Sequence, residues 1–197
     1  MSFLLGLTGS IGMGKSTTAK MFAEEGCAVW DADAAVHRLY SKGGAAVGPM
    51  AEAFPDAIVE GEVSRAELKR IIGEDAGALR RIEAIVHPLV AEDRQRFIEG
   101  ADADIVVLDI PLLFEGGGER MMDATACVFV SEDEQRRRVL DRGTMTEAQF
   151  EHILSQQLPI ADKVARADYV IETDTLDHAR GQVQDVVVTI RKGLADA

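Results

Sequence analysis

Five short apolar runs punctuate the chain, at Phe3–Thr8, Cys27–Trp30, Ile105–Ile110, Ala126–Val130 and Tyr169–Glu172. Most are continuous rather than alternating, as strands buried on both faces should be. Helical periodicity fills the intervals between them. Lys15–Glu25 follows the first run and stops at Gly26, placed as a C′ glycine, and Ala32–Tyr40 follows the second and gives way to Gly43-Gly44. Strand and helix in alternation predict an α/β fold, a parallel sheet flanked by helices and joined by right-handed crossovers.

Two intervals are too long to be simple crossovers. About seventy residues separate the second and third runs, with helical patterns at Ser64–Gly73 and Asp75–Glu99, and Pro88 is a candidate start of a new helical segment. This interval, about residues 41–100, reads as a helical substrate lobe. A second charged and helix-rich interval, about residues 132–166, reads as a mobile lid. The core of a single domain is then expected over about residues 1–40, 101–131 and 167–197, with a last helix over Leu176–Leu194 packed on the sheet.

Composition narrows the classes of partner. Of 197 residues 47% are hydrophobic but only 5% aromatic, so the core is expected to be built from Ala, Val, Ile and Leu. The formal net charge of −13 opposes binding to a nucleic acid duplex, which rewards a basic surface. A local cluster of Arg and backbone N–H groups can still receive a phosphorylated metabolite. Cys27 and Cys127 each lie beside an apolar run and lack CxxC spacing, which suits buried thiols in a reducing compartment. No apolar stretch is long enough for a membrane span, and Met1-Ser2-Phe3-Leu4-Leu5 lacks the basic start of a signal peptide, so a cytoplasmic location is expected.

The chemistry begins after the first strand. Gly9-Ser10-Ile11-Gly12-Met13-Gly14-Lys15-Ser16 matches the P-loop pattern at every fixed position, between an apolar strand and a helix. Glycines let the backbone wrap a phosphate closely, and successive N–H groups and the helix N-terminus then face the anion. Lys15 is placed to contact the β- and γ-phosphates of a nucleoside triphosphate, and the Ser16 hydroxyl to ligate Mg²⁺.

Carboxylates gather at the strand ends, where ligands collect in open α/β sheets. Asp31 and Asp33 follow the second run; one can cap the next helix while the other orients an acceptor hydroxyl and takes its proton, a role expected chiefly of Asp33. Asp109 closes Ile105-Val106-Val107-Leu108 and resembles a Walker B acid that holds the Mg²⁺ shell, with Glu115 a weaker candidate. In the lid, Arg138 and Arg142 lie four apart on one helical face and can close over the transferring phosphoryl group. Arg136 and Arg137 follow Glu132-Asp133-Glu134 and read as a solvated face. His87 precedes Pro88 and reads as structural, and no histidines share metal-like spacing.

Together these segments resemble the dephospho-CoA kinase family. Gly6-Leu7-Thr8-Gly9 with the P-loop, Asp31-Ala32-Asp33, His87-Pro88, Pro111-Leu112-Leu113-Phe114-Glu115 and Ala167-Asp168-Tyr169-Val170-Ile171 occur in that family's order, and the lid is similar at Gln135, Arg138, Arg142, Gln156 and Lys163. The resemblance implies an adenylate-kinase-like P-loop NTPase fold with a helical acceptor-binding insertion and lid. It implies ATP-dependent phosphorylation of the ribose 3′-hydroxyl of dephospho-CoA, with Gly12, Met13, Gly14, Lys15, Ser16 and Thr17 on ATP, Asp33 on the acceptor, and Arg138 and Arg142 in the lid. The chain departs from the family pattern at Glu172-Thr173-Asp174, where an Asn-containing turn is usual, at His152, where an arginine is common, and at Gly143-Thr144, where an acid is missing. The motif alone also admits a nucleoside or nucleoside-monophosphate kinase, or an ATPase switch.

Overall fold

The computed structural model describes residues 2–196. The first strand, β1 (Phe3–Thr8), leads through the glycine loop to α1 (Lys15–Glu24), β2 (Ala28–Asp31) and α2 (Ala32–Tyr40). Next come α3 (Val47–Ala53), the two-residue strands β3 (Ile58–Val59) and β4 (Glu62–Val63), α4 (Arg65–Glu74) and α5 (Ala78–Gly100). The chain continues through β5 (Ile105–Asp109), β6 (Ala124–Phe129), the short helices α6 (Glu132–Asp141), α7 (Glu147–Ser155) and α8 (Ile160–Arg166), then β7 (Tyr169–Glu172) and α9 (Leu176–Ala195).

These elements form two compact units: Asp31–Gly100 is one, and the chain up to Trp30 with that from Ala101 onward is the other. The larger unit is built on a five-stranded sheet in the order β2-β5-β1-β6-β7. β1 pairs in parallel with β5 (Phe3 opposite Ile105) and with β6 (Leu5 opposite Ala124), and β6 pairs in parallel with β7. All five residues of β5 are buried, which explains its unbroken apolar run. Met21 and Phe22 of α1 and Val183, Val187 and Ile190 of α9 close over Leu5, Leu7 and Val107, each side chain contributing about 1.5–3 kcal/mol through burial. The fourth run starts two residues earlier than its apolar pattern suggests, because Ala124 and Thr125 are buried alongside β1. Cys27 and Cys127 are buried free thiols, and burial pushes both up to about 11, so they are inert.

The smaller unit has its own core of Leu39, Met50, Phe54, Leu68, Ile82 and Val86. Here α2 packs on α5. Three features differ from expectation. Pro88 begins no new segment but sits inside an unbroken α5. The proline removes one backbone hydrogen bond at a cost of about 3 kcal/mol, and the apolar seam of Ile82, Val86, Leu89 and Val90 holds the helix on the core regardless. β3 and β4 form a small antiparallel hairpin, Ile58 opposite Val63, turned by Glu60 and Gly61 at φ 53° and 86°. Positive φ at both central residues matches a type I′ turn. The short α3 has no counterpart among the helical patterns read from the sequence. Among the described residues no helix is long and apolar enough to cross a membrane.

Candidate active site

The loop between β1 and α1 is fixed by close contacts that admit only glycine. A Cβ on Gly9 would lie 2.4 Å from Val128 Cγ2, and one on Gly12 would lie 2.4 Å from Val139 Cγ2 of α6. Gly12 and Gly14 adopt φ 77° and 85°, and Gly14 caps α1 without any side-chain hydrogen bond. With no acid in the first turn, the positive end of α1 faces outward. Met13 is buried while Ser16 and Thr17 are exposed. Lys15 lies at the helix start and forms an ion pair with Asp109 at the end of β5. Asp109 is 1% exposed, so this pair is screened little by water.

Side chains from the following helices grip the same loop. Gln135 of α6 donates from Nε2 to the Ile11 carbonyl at 2.7 Å, and the Ile11 N–H donates to Gln157 Oε1 at 3.4 Å. Lys163 of α8 is fully buried and pairs with Glu115 at 2.8 Å. Burial alone would raise the Glu115 carboxyl, but hydrogen bonds from Lys163 and the Leu158 N–H hold it below its ordinary value. Its Oε1 is thus engaged within the protein. At the far edge Thr173 donates from Oγ1 to the Met13 carbonyl at 2.7 Å.

Arg138 is drawn toward this edge. Its guanidinium donates to the Thr173 carbonyl at 2.7 Å and to Glu134 at 2.7 Å. Glu134 is held down to about 2 by the guanidinium of Arg137 first and that of Arg138 second. Arg142, the C-terminal cap residue of α6, is exposed, and its guanidinium makes no hydrogen bond or ion pair among the described residues. Arg136 pairs with Glu147 and Arg137 with Glu134 and Asp141, as a solvated face should.

In the smaller unit the two early acids divide their work. Asp31 is the N-cap of α2, its Oδ1 accepting from the Ala34 N–H at 2.9 Å. Asp33 lies exposed in the first turn, and its carboxylate has no hydrogen-bond or ion-pair partner among the described residues. His87 is exposed on α5. In the larger unit Glu172, Asp174 and His178 converge beside the carboxyl end of β7, Glu172 half-buried and the other two exposed, with a His178–Asp174 hydrogen bond of 2.7 Å. That grouping was not legible in the residue spacing.

A glycine-wrapped loop running from a central parallel strand into a helix, with its lysine held on a strand-end carboxylate, defines a P-loop phosphotransferase. The sequence profile of the dephospho-CoA kinases matches residues 3–178. A dephospho-CoA kinase of Ruegeria pomeroyi is 70% identical over 193 residues, which cover 98% of each chain. A protein of Thermus thermophilus of known crystal structure is 31% identical, with a TM-score of 0.85 over 95% of this chain and 97% of that one. A dephospho-CoA kinase from Campylobacter jejuni shares the fold at 21% identity, with a TM-score of 0.71 over 98% of this chain and 99% of that one. The chain belongs to the dephospho-CoA kinase family.

Proposed function

We propose that the chain transfers the γ-phosphoryl group of ATP to the ribose 3′-hydroxyl of dephospho-CoA, giving CoA and ADP, the last step of coenzyme A synthesis. The observation that carries this reading is the P-loop itself, with Lys15 already held at the end of β5 by Asp109. Backbone N–H groups of Gly12, Met13, Gly14, Lys15, Ser16 and Thr17 receive the phosphates, and the Lys15 ammonium bridges the β- and γ-groups. The Ser16 hydroxyl and the Asp109 carboxylate are hard oxygen donors that suit Mg²⁺. When bound there, the ion neutralises charge on the phosphate oxygens.

Asp33 accepts the proton of the acceptor hydroxyl as its oxygen bonds to the γ-phosphorus, and the bridging oxygen departs with ADP. Its exposed and unshared carboxylate is suited to that role. Arg142, free of protein partners among the described residues, swings onto the equatorial oxygens, while Arg138 anchors the lid base and reaches the same charge. The test is phosphoryl transfer by purified protein from Mg-ATP to dephospho-CoA, AMP and nucleosides in parallel. Turnover with dephospho-CoA alone is expected, together with slow ATP hydrolysis when no acceptor is present. Preferential turnover of AMP or a nucleoside would overturn the assignment.

A further inference from the structure

We propose that Lys163 is a positioning residue for the nucleotide, the strut that locks the entrance of the P-loop to the rear stem of the lid; this rests on reading that loop as the triphosphate site. Lys163 belongs to α8, about 150 residues downstream of the loop it supports. Its side chain is fully buried, so it contacts no solvent. An ammonium carries three N–H donors and no acceptor. Here three acceptors surround it: Glu115 Oε1 at 2.8 Å, the Pro111 carbonyl at 3.3 Å and the Gly9 carbonyl at 3.4 Å.

Each acceptor belongs to a different part of the site. Gly9 opens the P-loop. Pro111 follows β5 two residues after Asp109, and its carbonyl also accepts from Thr8 Oγ1 at 3.0 Å. Glu115 further accepts from the Leu158 N–H at 2.9 Å, at the start of the segment that leads into α8. One buried cation therefore fixes the direction of the Gly9 peptide, ties it to the strand end that carries Asp109, and joins both to the lid stem. Phosphate-binding N–H groups work only if the peptides bearing them are pre-aimed, because reorganisation during the reaction costs rate.

A buried lysine can act as a staple alone, so the test must separate stability from nucleotide affinity. Lys163→Met leaves the Glu115 carboxylate buried and unpaired, and is expected to unfold at a clearly lower temperature. Lys163→Met combined with Glu115→Gln removes both charges and is expected to recover much of that loss. Arg166→Gln serves as a control on the same helix: Arg166 stacks 4.6 Å over the Phe114 ring and bonds Glu119 at 2.5 Å, holding α8 without touching the P-loop.

The readouts are the melting temperature and the calorimetric Kd for Mg-ADP, followed by KM for ATP and for dephospho-CoA. Wild-type binding of Mg-ADP is measured first, since its absence would defeat the nucleotide-site reading and not the strut. The double variant is expected to bind Mg-ADP about tenfold or more weakly despite its recovered melting temperature. Its KM for ATP should rise while that for dephospho-CoA stays close to wild type, and Arg166→Gln should lose stability at unchanged Kd. A double variant with wild-type Kd, or an Arg166→Gln variant weakened as much as Lys163→Met, would overturn the proposal.

Discussion

Lys15 pairs with a buried carboxylate and, in the proposed reaction, with the phosphates. Removing it takes the ammonium away from Asp109, which is 1% exposed. Lys15→Ala is therefore expected to lose about 10²–10³-fold in kcat, as loss of one phosphoryl-stabilising group does, and also to lose stability, because a buried carboxylate gives up an ion pair. Steady-state kinetics beside a denaturant titration check both, and unchanged stability would show that the ion pair adds nothing to folding. The two early acids give a cleaner separation. Asp33→Asn should cut kcat by about 10²–10⁴-fold with stability nearly intact. Asp31→Ala should cost about 1 kcal/mol of stability through the lost cap. Comparable kinetic and stability effects at both positions would reject the division of labour.

At the scale of elements the segment from α6 to α8 is the informative piece. Arg142 and Arg136 sit on neighbouring parts of the same helical segment, yet among the described residues the Arg142 side chain has no partner while Arg136 is engaged with Glu147. Arg142→Lys keeps the charge but loses the planar fork, so kcat should fall about 10²-fold. Arg136→Lys should change turnover little, because exposed ion pairs contribute at most about 1 kcal/mol. Equal small effects, read from kcat with saturating substrates, would return Arg142 to the solvated face. The main strands and the P-loop were legible because continuous apolar runs and fixed glycine spacing are local signals. The hairpin at Ile58–Val63 was not, since Glu60-Gly61 lacks the Asn-Gly or Asp-Gly pair that normally marks such a turn. Nor could spacing show that Gln157, rather than Gln156, reaches Ile11, or that a lysine would be fully buried. Those facts depend on contacts between residues far apart in sequence.

The whole molecule carries two hydrophobic cores, and each should report its own ligand. Mg-ADP at about 100 times its Kd adds about 2.7 kcal/mol to the state that binds it. Hydrogen exchange should then slow in β1, the loop over residues 9–17 and α1. Dephospho-CoA alone should instead slow exchange within Asp31–Gly100, the unit that holds Asp33. Mass spectrometry of exchanged peptides measures both, and acceptor protection confined to the sheet unit would contradict the assignment of the helical insertion to the acceptor.

The register of β1 has a consequence for the nascent chain. Phe3 pairs with Ile105, so the first strand waits for about 100 further residues before it meets its neighbour. At a synthesis rate of about 5–20 residues per second, that wait lasts roughly 5–20 s. During it Asp31–Gly100 emerges as one uninterrupted stretch with its own core. Asp31–Gly100 is therefore complete first, while the glycine loop, although encoded earlier, has neither Asp109 nor Lys163 beside it until much later. Birth order and assembly order run in opposite directions.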